Sequence, residues 1–265
     1  MPIALERMEV DDVATSPERI AAEIHRQLGD IAPPIPVHDI ARALDIEDIQ
    51  EKPLNGLEGV LITEAERDFG MIQVNSSSSR QRRRYSVAHE LGHFLSPWHR
   101  QTSSGGFECT RQDMARPTGD DVHIRQESEA NKFAIELLAP ARMLPRYLRR
   151  LPELEHVLAM HADLHISKAA AARRYVALHA EPLAVVFAKD DEFHYVDRGP
   201  TFPFVALSRG QRLPQLPRIG SDAVTSEMVE ADVEDWLGPD RIGELAVQVL
   251  RQEEGYSIIL LHLAE

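Results

Sequence analysis

Two histidines one helical turn apart, His89 and His93, stand among apolar neighbours: Val87, Ala88, Leu91, Phe94 and Leu95. On a helix, residues four apart project from the same face, so both imidazoles can reach one ion. Glu90 follows the first histidine, from where its carboxylate can approach that ion without being forced to ligate it. The run His89-Glu90-Leu91-Gly92-His93 is thus the His-Glu-x-x-His arrangement, two metal ligands and a general base. Amide hydrolysis needs each part. A zinc ion with three protein ligands keeps one position open to activate water, and the carboxylate carries the proton to the leaving amine. The chain holds 12 histidines, so the spacing alone is a fair signal, and the apolar flanks strengthen it. Gly92 costs about 1 kcal/mol of helix stability against alanine, which makes sense if something must approach closely there. The bland alternative is a core helix carrying two partly exposed histidines.

Two residues compete to be the third ligand. His99 lies ten positions after His89, the spacing of a longer histidine pattern that has glycine where this chain has Ser96, followed by Pro97. Glu127 belongs to a later helical run, Gln126-Glu127-Ser128-Glu129-Ala130-Asn131. There a glutamate could ligate while Asn131, one turn on, orients a histidine from behind. The spacing leaves both open.

Around these motifs the chain reads as mixed structure. Ser16 and Pro17 open a helix to Gly29 with Ile20, Ile24 and Leu28 on one stripe. A short helix carries Val37, Ile40, Ala41 and Leu44. Gly59–Ile62 and Gly70–Val74 read as strands. The histidine helix spans Arg80–Leu95 and ends before Pro97. Gln101–His123 has the composition of a loop. Helix resumes over Gln126–Leu138, Ala141–Leu148 and Glu153–His179. Beyond Glu181 come strands at Leu183–Ala188 and Phe193–Val196, a helix at Val233–Leu237, and strands at Ala246–Leu250 and Tyr256–Leu263. The expected fold class is α+β: a mainly helical catalytic core with a small β-sheet over residues 1–180, then a C-terminal α/β module over 181–265.

Composition narrows the function classes. A formal net charge of -14 repels nucleic acid unless basic residues are concentrated in a patch. The one dense basic run, Arg80, Arg82, Arg83 and Arg84, reads first as a solvated helix start and second as a docking patch for an acidic partner. No apolar stretch approaches the roughly 20 residues needed to span a bilayer, and the N-terminus lacks a secretory pattern. One cysteine allows no intrachain disulfide and fits a reducing compartment, so a cytoplasmic location is expected.

The run from Tyr85 to Phe94, together with Glu127 to Pro140, resembles the ImmA/IrrE family of metallopeptidases. The strand ending at Val74-Asn75, the arginine-rich helix start and the segment Ile35-Pro36-Val37 to Leu44 match as well. The likeness covers roughly Pro33–Ala180, with Leu-Leu-Ala-Pro where the family has Leu-Leu-Met-Pro. It implies a zincin-like core in which zinc, with manganese as the alternative metal, is held by His89, His93 and Glu127. It further implies a regulatory endopeptidase cleaving a separately encoded helix-turn-helix repressor or antitoxin-like partner in a stress or mobile-element response. The family also places a helix-turn-helix-like segment near 153–179, where Ser167 caps a second helix bearing Arg173 and Arg174. The chain's acidity favours a packing role there over direct DNA contact.

Further residues invite roles. Cys109, between the two metal-binding helices, could occupy the open zinc position and keep the enzyme latent. His123, Arg125 or Tyr147 could stabilise the oxyanion of the tetrahedral intermediate. Residues 181–265 resemble the family's variable C-terminal part, a sensor-like or dimerisation module, and carry no readable ligand motif. The oligomeric state is not legible. The rival reading is a DNA- or partner-binding regulator whose metal is structural, with four protein ligands.

Overall fold

The computed structural model describes residues 3–103, 105–220 and 223–264. Its architecture is α+β: a helical core built on one sheet, and a separate, smaller β-rich module built on another. The chain packs as two compact units. The first runs to Pro140 and includes Asp163–Ile166; the second takes Ala141–Ala162 and the chain from Ser167 onward.

The first unit contains α1 (Arg7–Asp12), α2 (Pro17–Leu28), α3 (Val37–Ala43), β1 (Ile46–Lys52), β2 (Leu57–Thr63), β3 (Gly70–Asn75), α4 (Arg80–Leu95), β4 (Gly106–Thr110) and α5 (Asp121–Leu138). The sheet has the order β1-β3-β2-β4, parallel between β1 and β3 and antiparallel elsewhere. Helix starts follow their caps. Ser16 accepts a hydrogen bond from the Arg19 amide, Ser79 from Arg82, and Asp120 from His123. From Ser86 to Leu95 every residue of α4 is buried, the condition of a helix surrounded by protein. At Gly92 an added Cβ would lie 3.3 Å from the Ala130 Cα and 3.0 Å from Phe133 Cδ1. The glycine therefore lets α4 and α5 approach, which brings the histidines towards Glu127.

Two strands of this sheet fall outside the expected pattern. The stretch expected as a loop over 101–123 contains β4 and the first turn of α5. In β4, Phe107 and Cys109 point inward while Glu108 is exposed. Five residues with one apolar alternation are too few to stand out in a polar stretch. Strand β1, Ile-Glu-Asp-Ile-Gln-Glu-Lys, buries only Ile46, as an edge strand can. The basic run is also less solvated than expected. Arg84 is buried and donates to the Ile35 carbonyl at 2.7 Å, and Arg83 pairs with Glu51 at 3.1 Å.

The second unit contains α6 (Pro145–Leu148), most of α7 (Leu154–Leu164), α8 (Lys168–Leu178), β5 (Leu183–Lys189), β6 (Glu192–Arg198), β7 (Val229–Ala231), α9 (Val233–Leu237), β8 (Glu244–Arg251) and β9 (Tyr256–Ala264). Its five strands, ordered β6-β5-β9-β8-β7, are antiparallel throughout. Asp190 and Asp191, both at positive φ, turn β5 into β6 as a two-residue hairpin requires. Val186, Val247, Ile259 and Trp236 belong to its core. Ser167 caps α8, accepting from the Ala170 amide at 3.1 Å. Arg173 binds Asp197 at 2.8 Å and the Tyr195 hydroxyl at 2.9 Å, while Arg174 is buried. No helix among the described residues is long and apolar enough to cross a membrane.

Candidate metal centre

α4 presents His89, Glu90 and His93 inward, all three fully buried. The two Nε2 atoms lie 3.2 Å apart. Glu127, on α5, places Oε2 3.0 Å from His89 Nε2 and Oε1 3.3 Å from His93 Nε2. Four-coordinate bonds of about 2.0–2.1 Å imply donor-to-donor edges of roughly 3.3–3.4 Å, so these three donors are spaced as around one ion.

The surrounding hydrogen bonds fix which nitrogens carry protons. Asn131 Nδ2 donates to the Asp113 carbonyl at 2.8 Å, which turns Oδ1 towards His89 and Tyr85. That oxygen accepts from the Tyr85 hydroxyl at 2.8 Å and from His89 Nδ1 at 3.1 Å. On the other histidine, Glu129 Oε2 accepts from His99 Nε2 at 2.9 Å and from Trp98 Nε1 at 2.6 Å. His99 Nδ1 is then an acceptor, and His93 Nδ1 donates to it at 3.0 Å. Both histidines are left with bare Nε2 atoms facing a carboxylate. Acceptors facing one another in a buried pocket call for a cation between them. Burial lowers the His89 pKa, yet the Glu127 carboxylate beside it carries it above its ordinary value, so a cation at Nε2, whether a proton or a metal ion, is favoured. Burial likewise raises Glu127, but the two imidazoles beside it hold it well below the carboxylate range. Burial lowers His93 to about 4 and His99 to about 2, consistent with neutral rings. Glu127 Oε1 and Glu90 Oε1 are buried without hydrogen-bond partners, each a cost of about 1–3 kcal/mol if left so. The donor set fits a divalent metal ion: His89, His93, Glu127 and Cys109 offer ligand atoms within 4.8 Å of one another.

A comparison with protein families matches residues 44–175 to the IrrE N-terminal-like domain. The chain carries a metallopeptidase domain of the ImmA/IrrE family. Over its whole length the chain is similar in fold to the solved structure of a Mycobacterium tuberculosis transcriptional regulator. That likeness has a TM-score of 0.55 at 12% identity, covering 99% of this chain and 80% of that one. A comparison with curated proteins finds no match.

Within this ImmA/IrrE domain the other singled-out residues fall in different places. His99 stands on the Nδ1 side of His93, away from the Nε2 atoms and Glu127. Cys109 lies on a strand, not a loop, with Sγ 3.6 Å from Glu90 Oε2. His123 places Nε2 3.0 Å from Asp113 and Nδ1 3.9 Å from Glu127. Arg125 is exposed. Tyr147 is buried in the second unit, beside Arg146. Three participants were given no role by the sequence. Buried Arg67, in the turn after β2, donates to the carbonyls of His93 at 3.0 Å, Ser96 and His99, closing the C-terminal end of α4. Tyr85 holds Asn131. Gly59, on β2, leaves room for the Glu90 carboxylate, which a Cβ there would strike. Enclosed in this way, the Glu90 carboxyl is pushed by burial up to about 8.

Proposed function

We propose that the ImmA/IrrE domain works as a zinc endopeptidase of narrow specificity. Its substrate is a helix-turn-helix repressor or antitoxin-like protein, in a stress or mobile-element response within the cytoplasm. Residues 1–180 carry catalysis, and residues 181–265 serve sensing or dimerisation. The observation that carries this reading is the convergence of two bare imidazole nitrogens and the Glu127 carboxylate, with Glu90 on the same helix. His89, His93 and Glu127 would hold the ion, and zinc suits their nitrogen and oxygen set. When bound, it supplies Lewis-acid activation of water and of the scissile carbonyl.

The remaining work falls to side chains. Glu90 takes a proton from the attacking water and holds it for the leaving amine. Asn131, through His89, and His99, through His93, keep both rings turned to the ion. Of the three oxyanion candidates, His123 places Nδ1 3.9 Å from Glu127 Oε1. Arg173 engaged at β6 and Arg174 buried in α8 support a packing role for the helix-turn-helix-like segment, with the contacts made to protein and not to nucleic acid.

Glu90→Gln should keep metal at wild-type stoichiometry and stop cleavage of the partner. Incubating both proteins with the candidate repressor and following fragments by mass spectrometry reads this directly. Sustained cleavage by the variant would sink the mechanism. The fourth donor at Cys109 favours a second reading, a regulator with a structural ion, for which neither protein would cut.

A further inference from the structure

We propose that Cys109 is the fourth protein ligand of the resting centre, its thiolate closing the position that a catalytic zinc site leaves open. This rests on the metallopeptidase reading above. The thiol sits with His89, His93 and Glu127 in one group of buried donors, all within 4.8 Å of one another. Its strand partner in the β2–β4 ladder is Gly59. The bare glycine and the inward cysteine lie side by side on the face where the Glu90 carboxylate enters, 3.6 Å from the sulfur.

A second observation is independent of the cysteine. Glu127 Oε1 and Glu90 Oε1, both fully buried, have no hydrogen-bond partner, so the chamber the sulfur faces holds acceptors in want of a cation. Zinc–sulfur and zinc–nitrogen bonds of about 2.3 and 2.1 Å imply a sulfur-to-nitrogen edge near 3.6 Å. Drawing Sγ into a shared shell therefore asks for a shift of order 1 Å. The β4 strand is an edge, paired in its ladder with β2 alone among the described residues, and can supply that shift.

Ligation forms the metal–sulfur bond and breaks S–H, and the proton is released to water, as binding of a metal by a thiol requires. A substrate or partner that moves β4 would draw the sulfur away and open the position.

Cobalt(II) in place of zinc reports on the ligand atoms and needs no substrate. The full chain loaded with cobalt should show a near-ultraviolet sulfur-to-cobalt charge-transfer band. As Cys109 is the sole cysteine, that band has one thiolate source. Cys109→Ser should bind cobalt at the same stoichiometry and lose the band. Adding acetohydroxamate should shift the visible cobalt bands of Cys109→Ser and leave the wild type unchanged. A fully loaded wild type without the charge-transfer band, or one that acetohydroxamate perturbs as readily as the variant, overturns the proposal and leaves the peptidase reading standing. Failure of the wild type to bind cobalt or zinc at all removes both.

Discussion

His93 uses both ring nitrogens: Nε2 faces Glu127, and Nδ1 is held from behind. His99 accepts its Nδ1 proton, and Glu129 holds His99 in the tautomer that can do so. The same logic applies to His89 and Asn131. Partners of this kind typically contribute 10–100-fold in metal affinity. His99→Ala and Asn131→Ala are therefore each expected to weaken metal binding by about that factor, measured by competition with a chromogenic chelator. Glu127→Ala should remove stoichiometric metal altogether. If His99→Ala emptied the site and Glu127→Ala did not, the ligand assignment would have to be reversed. The His-Glu-x-x-His run was legible because its chemistry is local. The roles of Tyr85 and Arg67 were not. Each works through a partner brought near by folding: Asn131 lies 46 positions from Tyr85, and the His93 carbonyl lies 26 from Arg67.

The helix pair α4–α5 is the element on which the site depends, and Gly92 sets its spacing. A methyl group there meets the Ala130 backbone, which cannot move without the helix. Overpacking of this sort costs about 1–3 kcal/mol, against about 1 kcal/mol gained in helix propensity. Gly92→Ala should therefore lower stability by up to about 2 kcal/mol in a urea melt and weaken metal affinity as the helices part. An unchanged or raised midpoint with full affinity would show that the spacing is set elsewhere. Sequence reading located these helices because α4 has a serine cap and a terminating proline and α5 an apolar stripe. It passed over β1 and β4 because an edge strand with one buried face leaves only a short alternation. Missing β4 also put Cys109 in a loop, when its alternation beside Phe107 turns it towards the ligands.

For the whole molecule, binding to the folded state alone adds stability by mass action, about 4 kcal/mol at a thousandfold excess over Kd. Removing metal with a chelator should accordingly lower the melting temperature of the wild type by several degrees and leave Glu127→Ala unmoved. Equal shifts in both would mean that the chelator acts elsewhere. The mixed class and the strands that follow Glu181 could be read from composition and periodicity, whereas the division of the chain at Pro140 could not. The interleaving of Ala141–Ala162 and Asp163–Ile166 between the two compact units has no compositional mark, since it depends on which distant surface each helix meets.

The chain's two tryptophans are divided between those units. Trp98 shares the Glu129 carboxylate with His99, three hydrogen bonds from the His93 ring, and Trp236 is sealed in the core of the β-rich module. The protein therefore carries one tryptophan per unit. Replacing either with phenylalanine leaves a single tryptophan, which red-edge excitation selects over the tyrosines, so events at the centre can be followed optically apart from unfolding of the module, without attaching a dye.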